Sequence, residues 1–437
     1  MKQRSYQRGY QAGCKAGRSK GYQDGSFLGY HAGRSRIARS FDGTSIIIPT
    51  YNKRDFLAAC IDSIFEHTPE PFELIIVDNA SKDGTIDYLK TIADKVKFII
   101  NDRNLGFAGA VNQGFAAAGG STLLLLNNDT IVTRHWLSNL LNCVHSSPEI
   151  GIVGPVTNYI SGGQLIETSY STIAEMHQFA SHYNQSDSSR WIVTGKMTGF
   201  CMLMRREVFE QVGYMDEGFE IGNCEDDDFA LRTQLAGYEL VIAKDTFIHH
   251  EGSVSMKALG DDFDQVYGKN LEFYARKWED PYTLLEEMKK YAQKRTMIDF
   301  YPSHVFVQSP GSPVYWIENG QRYLISPQNQ PQAVQISRLE LSRWPDGGMI
   351  AYEEAAAKLQ ALKQPRDFWI DGGLVKTAEG FIYQMNGSEK RRIISNQTLH
   401  SWNLHDRFIQ SVPSELLANY SDGIPIIPHP VLKSNNL

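Results

Sequence analysis

Four consecutive leucines, Leu123 to Leu126, run straight into Asn127, Asn128 and Asp129, and no other stretch restricts the fold of this chain as much. The run is too short for an isolated buried helix. It does not alternate with polar residues, so it suits a strand of a parallel sheet covered on both faces. Its abrupt polar end delivers a carboxylate to the carboxyl edge of that sheet, where open α/β sheets bind ligands. Asp129 is therefore a candidate ligand for a divalent metal, and through the metal for a diphosphate. The plainer reading is a buried strand followed by a polar turn.

The chain upstream fits a sheet of this kind. Ile46 to Ile48 form a short apolar run closed by Pro49, and Asn52 to Asp55 supply helix-start chemistry for a helix through Phe65. Glu73 to Val77 form a second strand, ending at Asp78-Asn79 and a Ser-Lys-Asp-Gly turn. A helix to about Ala93 and a strand from Val96 to Ile100 follow. Strands alternating with helices predict a doubly wound, mostly parallel sheet. The glycines at 106, 109 and 114 do not form GxGxxG, which argues against a dinucleotide fold.

The 437 residues predict two or three domains. A net charge of -7 argues against nucleic acid as the main partner. Cys14, Cys60, Cys143, Cys201 and Cys224 lack CxxC spacing and read as reduced thiols. No apolar run is long enough to span a bilayer, and no signal-peptide core is visible, so a cytoplasmic protein is expected, with peripheral attachment to the inner membrane face as an option.

Residues 1 to 40 differ from the rest. They carry nine Lys or Arg against one Asp, and glycines recur every fourth residue from Gly9 to Gly33. That spacing stacks the glycines on one helical face. Seven interior glycines make a solitary helix unfavourable, so either another helix fills the groove, as in small-xxx-small packing, or the segment is a basic tail. Residues 1–41 are expected to be an interaction arm, with self-association through residues 5–34 as one use.

Taken together, SIIIPTYN, LIIVDNASKDGT, NLGFAGAVNQG and LLLLNNDT resemble the family-two inverting glycosyltransferases of the GT-A fold. The likeness continues through TGFCMLMRREVFEQVGYMDEGF, EDDDFALR and HHEGSVS, and covers residues 44 to 260. NND in place of the commoner DXD resembles the rhamnosyltransferase-like variant. The resemblance implies a nucleoside-diphosphate sugar donor, UDP- or dTDP-linked. Pro49, Thr50, Tyr51, Asp78, Asn104, Gly106, Asn128 and Gly199 would bind it, although Asp78 also reads as a cap on the turn it starts. Mn²⁺ or Mg²⁺ would sit on Asp129. In related enzymes a histidine before a Gly/Ser-rich loop ligates the metal, which favours His250 over His249. Residues 251 to 264 would form a lid over that site.

Glu225, Asp226, Asp227 and Asp228 open a predicted helix. One or two acids there suit the helix dipole, whereas four in a row raise one another's pKa, which suits a general base. The family pattern points to Asp226 as the base, with Asp227 as the alternative. Glu225 would hold the acceptor hydroxyl or the donor sugar, and Arg232 an internal salt bridge. The acceptor would be a glycan, a lipid-linked saccharide or a protein, in surface or envelope glycan assembly. A non-catalytic nucleotide-sugar-binding scaffold is the competing class.

The GT-A domain is expected to span residues 42–297. Residues 298–437 read as a small β-rich accessory domain, because PVYWIENGQRYLIS is echoed by GFIYQMNGSEKRRIIS. Each carries Asn-Gly between two β-rich runs, a hairpin signal, and each is followed by Asp-Gly, at 346–347 and 422–423. Trp316, Tyr323, Trp344, Trp369 and Tyr383 would stack on sugars or, the plainer reading, form the domain's aromatic core.

Overall fold

A computed structural model describes residues 41–252, 262–291, 293–325, 331–365 and 370–433. The glycine arm, most of the 251–264 stretch and Trp369 lie outside them. The leucine run ends strand β4 (Gly120–Leu126), and all four leucines are fully buried. Leu123 and Leu125 point into one apolar layer, Leu124 and Leu126 into another on the opposite face. A strand covered on both faces has no polar positions to alternate with, which is why the run is unbroken.

Beside β4 stands β1 (Phe41–Thr50). β1 pairs in parallel with β2 (Phe72–Asp78), and β2 with β3 (Lys97–Ile100). The far half of the sheet is built from β6 (Ile150–Val156), β7 (Trp191–Thr194), β8 (Cys201–Arg205) and β9 (Glu239–Phe247), in the overall order β3-β2-β1-β4-β8-β6-β9-β7. β8 runs antiparallel to both β4 and β6, so the sheet is mixed on this side. One face is covered by α1 (Arg54–His67), α2 (Thr85–Thr91) and α4 (Trp136–Ser146). The other face carries α3 (Gly106–Ala117), α5 (Ile173–Tyr183), α6 (Arg206–Val212) and α7 (Glu225–Leu235). The glycines of α3 have a packing cause: a Cβ on Gly114 would lie 2.2 Å from a methyl of Ile47 on β1.

Helices α8 (Asp262–Trp278) and α9 (Pro281–Met288) follow. Lys277 and Trp278 at the end of α8 enter the core. The Lys277 ammonium, 1% exposed, lies 2.6 Å from Asp216 and also contacts Asp228 of α7. Asp228 in turn accepts from Trp278 Nε1 at 2.9 Å and from Arg232 Nε at 2.9 Å. Arg232 spends its other nitrogens on the carbonyls of Val212 and Tyr214. These two carboxylates and two cations lock α7, α8 and the 212–216 loop together.

The C-terminal region contains the duplication expected from its two Asn-Gly hairpins. The first sheet comprises β11 (Val305–Gln308), β12 (Tyr315–Glu318), β13 (Gln321–Ile325), β14 (Val334–Gln335) and β15 (Asp346–Ile350), ordered β14-β11-β12-β13-β15. The second comprises β16 (Leu374–Lys376), β17 (Ile382–Asn386), β18 (Glu389–Ile393), β19 (Ile409–Ser411) and β20 (Ser421–Asp422), ordered β19-β16-β17-β18-β20. In each copy a three-stranded antiparallel meander that contains the hairpin is flanked on either side by a parallel strand. The Asp-Gly pair opens β15 in the first copy, and in the second Asp422 ends β20 with Gly423 just beyond it.

The two turns differ by one residue. Glu318 pairs with Gln321, so Asn319 and Gly320 both sit at positive φ in the turn. In the second copy Asn386 pairs with Glu389, and Gly387-Ser388 makes the turn instead. Trp316 and Trp344 are buried, as the aromatic-core reading requires. Trp402 and Ile427 belong to the same apolar cluster as Leu123 and Leu125, so the core is continuous from the large sheet into the repeats. No helix among the described residues is long and apolar enough to cross a membrane.

Removing one partner of a buried ion cluster leaves an uncompensated charge. Lys277→Met is expected to destabilise the protein by about 3–5 kcal/mol, read as a lower urea midpoint at unchanged slope.

Candidate active site

β1 and β4 end side by side, so the residues after Thr50 and Leu126 leave the sheet at the same edge. A cavity of about 520 Å³ opens there. Pro49, Thr50, Tyr51, Asn104, Gly106, Asn128, Asp129, Gly199, Glu225, Asp226 and His250 all line it. Asp78 does not. It is fully buried, and its Oδ1 caps the following turn by accepting from Ser81 N at 2.9 Å, while Oδ2 has no hydrogen-bond partner among the described residues. Its neighbour Asn79 reaches the cavity and donates to the Gly106 carbonyl at 3.0 Å. Asn128 is fixed by donating to Thr50 Oγ1 at 2.8 Å.

Asp129 and His250 are 121 residues apart and meet because β5 (Thr130–Ile131) pairs antiparallel with β10 (His249–His250), setting Thr130 opposite His250. His250 Nε2 lies 3.1 Å from Asp129 Oδ1. Asn158 brackets the histidine backbone with two hydrogen bonds, and the Phe200 ring stacks on the imidazole at 5.5 Å. His250 Nδ1 lies 2.7 Å from the Tyr159 carbonyl, which can only accept, so Nδ1 carries a proton. Nε2 and the carboxylate then face each other with a cation needed between them, either a second proton or a metal. A metal-bound histidine commonly donates its other N–H to a carbonyl in this way. His249 points elsewhere, to the Tyr170 hydroxyl at 2.6 Å and toward Glu251 at 3.5 Å. Among the described residues no group of three or more His, Cys, Asp and Glu is arranged to hold a metal, so a cation here would draw its other ligands from a bound molecule and water.

The four carboxylates that open α7 divide into distinct environments. Asp228 faces inward to Arg232 and Lys277; burial would raise its pKa, but the two cations hold it low. Arg232 thus takes the internal ion-pair role expected of it. Asp227, nearer solvent, lies 3.9 Å from Lys196. Asp226 lies at the cavity wall, where its Oδ2 accepts from Gly199 N at 2.8 Å. Burial and the neighbouring Asp227 push Asp226 up to about 6. Glu225 is 4% exposed, and its Oε2 has no hydrogen-bond partner among the described residues. Burial, then Asp226, pushes it up to about 8. At neutral pH one proton therefore resides mainly on Glu225, leaving Asp226 ionised beside it.

Sequence reading missed Asn270, a buried amide on α8 bonded to the turn that precedes Glu225. A single asparagine on an amphipathic helix carries no local signal of such a contact.

Residues 45–213 match the sequence model described as glycosyl transferase family 2, and the chain carries a domain of that family. It is 28% identical over 233 residues to the O-antigen biosynthesis protein RfbC of Myxococcus xanthus, covering 49% of this chain and 18% of that protein. It is 26% identical over 213 residues to the glycosyltransferase AglE of Haloferax volcanii, covering 47% of this chain and 66% of that one. Each alignment thus spans less than two thirds of the relative. Among solved structures, the mannosyltransferase PcManGT from Pyrobaculum calidifontis, in complex with GDP-Man and Mn²⁺, aligns with a TM-score of 0.42 and 19% identity, over 61% of this chain and 77% of that one.

Because Glu225 binds its proton more tightly in the folded than in the unfolded state, the folded protein holds more protons between the ordinary carboxylate range and pH 8. Stability from this group is then greatest at low pH and is lost as pH rises through about 8. Glu225→Gln is expected to melt with the parent below pH 5 and a few degrees above it at pH 9, as read by thermal unfolding across that range.

Proposed function

We propose that this chain is an inverting glycosyltransferase that moves a sugar from a nucleoside diphosphate, UDP or dTDP, to an acceptor hydroxyl in surface or envelope glycan assembly. The observation that carries the reading is the meeting of two chemically different pairs on one cavity: Asp129 with His250, and Glu225 with Asp226. The family membership of residues 45–213 supports the reaction class.

In this reading the backbone after β1 and the Asn79, Asn104 and Asn128 amides hold the nucleotide. Asp129 and His250 would hold Mn²⁺ or Mg²⁺, whose chemistry is to neutralise the departing diphosphate. The His250 ring, pinned by Tyr159 and Phe200, keeps Nε2 directed at that position. Asp226, ionised at neutral pH, takes the proton from the acceptor hydroxyl as its oxygen attacks the anomeric carbon. The bond to the diphosphate breaks in the same displacement, and the configuration inverts. The protonated Glu225 donates to a sugar or acceptor oxygen through Oε2, which has no hydrogen-bond partner among the described residues. Residues 42–297 form the catalytic part, and the repeats of 298–437 serve acceptor binding or association.

Two outcomes test the assignment. Asp226→Asn should lower turnover by about 10²–10⁴-fold with donor affinity within about threefold, and the parent's kcat/KM should fall on the acid side with a midpoint near 6. A variant that keeps near-normal turnover removes Asp226 from the role. Mn²⁺ should raise the melting temperature together with one of UDP, dTDP or GDP, since a ligand that binds only the folded state stabilises it by mass action. Asp129→Ala and His250→Ala should each abolish the metal-dependent part of that shift, and a shift that persists in both overturns the ligand pair.

A further inference from the structure

The turn between Glu220 and Cys224 forms one wall of the cavity and delivers the first residue of α7. It does so in an unfavourable conformation. Ile221, Asn223 and Cys224 all have positive φ, at 60°, 84° and 71°, and none is glycine. For a β-branched residue such as Ile221 this is a real strain. A strained turn persists only where its surroundings over-determine it.

Two neighbours do so here. Phe107 N, at the start of α3, donates to the Ile221 carbonyl at 2.8 Å. From the other side Asn270 of α8, 1% exposed, spends its whole amide on this turn. Its Oδ1 accepts from Glu220 N at 2.9 Å. Its Nδ2 faces the carbonyls of Glu220, Gly222 and Asn223 at 2.9, 2.9 and 3.1 Å. Only a carboxamide, that of Asn or Gln, offers one acceptor and two donors in so compact a plane.

We infer that Asn270 is a positioning residue for the reaction: it holds the 220–224 turn in its strained form, and so fixes where Glu225 and Asp226 stand relative to the donor. This rests on the glycosyltransferase reading for its catalytic consequence, whereas the clamp itself can be measured without any activity. Cys224 supplies the readout. It is buried at the end of the turn, and Cys60, Cys143 and Cys201 are buried elsewhere in the same domain.

The experiment is native-state alkylation of full-length Asn270→Leu, with each cysteine followed by peptide mass spectrometry, alongside donor and acceptor kinetics. Leucine keeps the shape of asparagine without its hydrogen bonds. Cys224 is expected to label about tenfold faster or more, through local opening, while Cys60, Cys143 and Cys201 keep the parent's rates. Turnover is expected to fall by about ten- to a hundredfold, as for a small displacement of catalytic groups, with the KM for donor within about threefold. If Asn270→Leu does not fold, Asn270→Ser, which keeps one donor and one acceptor, is read in the same way with a smaller effect. Parallel acceleration at Cys60, Cys143, Cys201 and Cys224 means a general structural role and overturns the inference, as does a Cys224 that stays protected or a kcat that does not move. Should the parent transfer no sugar from any nucleotide donor, the enzyme reading fails, and Cys224 labelling alone still decides whether Asn270 holds the turn.

Discussion

The buried cluster of Asp216, Asp228, Arg232 and Lys277 is the interaction on which the arrangement of the site depends. All four side chains are essentially inaccessible. Two carboxylates and two cations buried together are tolerable only because each is paired and hydrogen-bonded, since an unpaired charge there would be expelled or neutralised. The consequence is geometric. Asp228 cannot leave the core, so the first turn of α7 has a fixed rotation about its axis, and Glu225 and Asp226 fall at the cavity. Asp216 extends the tie further: its Oδ1 accepts from Val431 N at 3.0 Å, and Glu217 beside it accepts from Lys433 N at 2.7 Å. The end of the described chain is thereby bound to the loop that leads into the strained turn.

The same arrangement explains how four adjacent acids coexist. Helix geometry sends Asp228 inward to cations and Asp227 outward to Lys196, which leaves Glu225 and Asp226 at the cavity wall. There burial, with Asp226 acting on Glu225 and Asp227 acting on Asp226, raises both above ordinary carboxylate pKa values. Burial acts more strongly on Glu225, so the proton settles there, and Asp226 stays a carboxylate anchored by Gly199 N. Two identical functional groups thus acquire opposite protonation states from their surroundings alone, as acid and base pairs in enzymes commonly do.

The C-terminal repeats share strand order, yet their turns show how weakly a motif fixes local geometry. Asn-Gly forms the turn in the first copy, and the same pair is shifted by one residue in the second. Register in a hairpin follows the side chains that must be buried. In the second copy Met385 and Ile393 are buried, and the turn moved to Gly387-Ser388. A hairpin was legible from the dipeptide, and its register was not.

What the sequence determined by itself was local. An unbroken apolar run too short for an isolated helix suits a strand covered on both faces, so Leu123 to Leu126 pointed to a central strand with Asp129 at its edge. Motif order specified the α/β class and most of the cavity lining. Tertiary structure decided everything that depends on distance: that His250 and not His249 meets Asp129, through a strand pair joining residues 121 apart; that Asp228 is a structural ion while Asp226 faces the cavity; that Asp78 caps a turn behind the wall; and that Asn270 holds the turn before Glu225. The physical reason is common to all four. A residue's type sets which interactions it can make, and only the packed fold sets which partner is within about 3 Å to make them with.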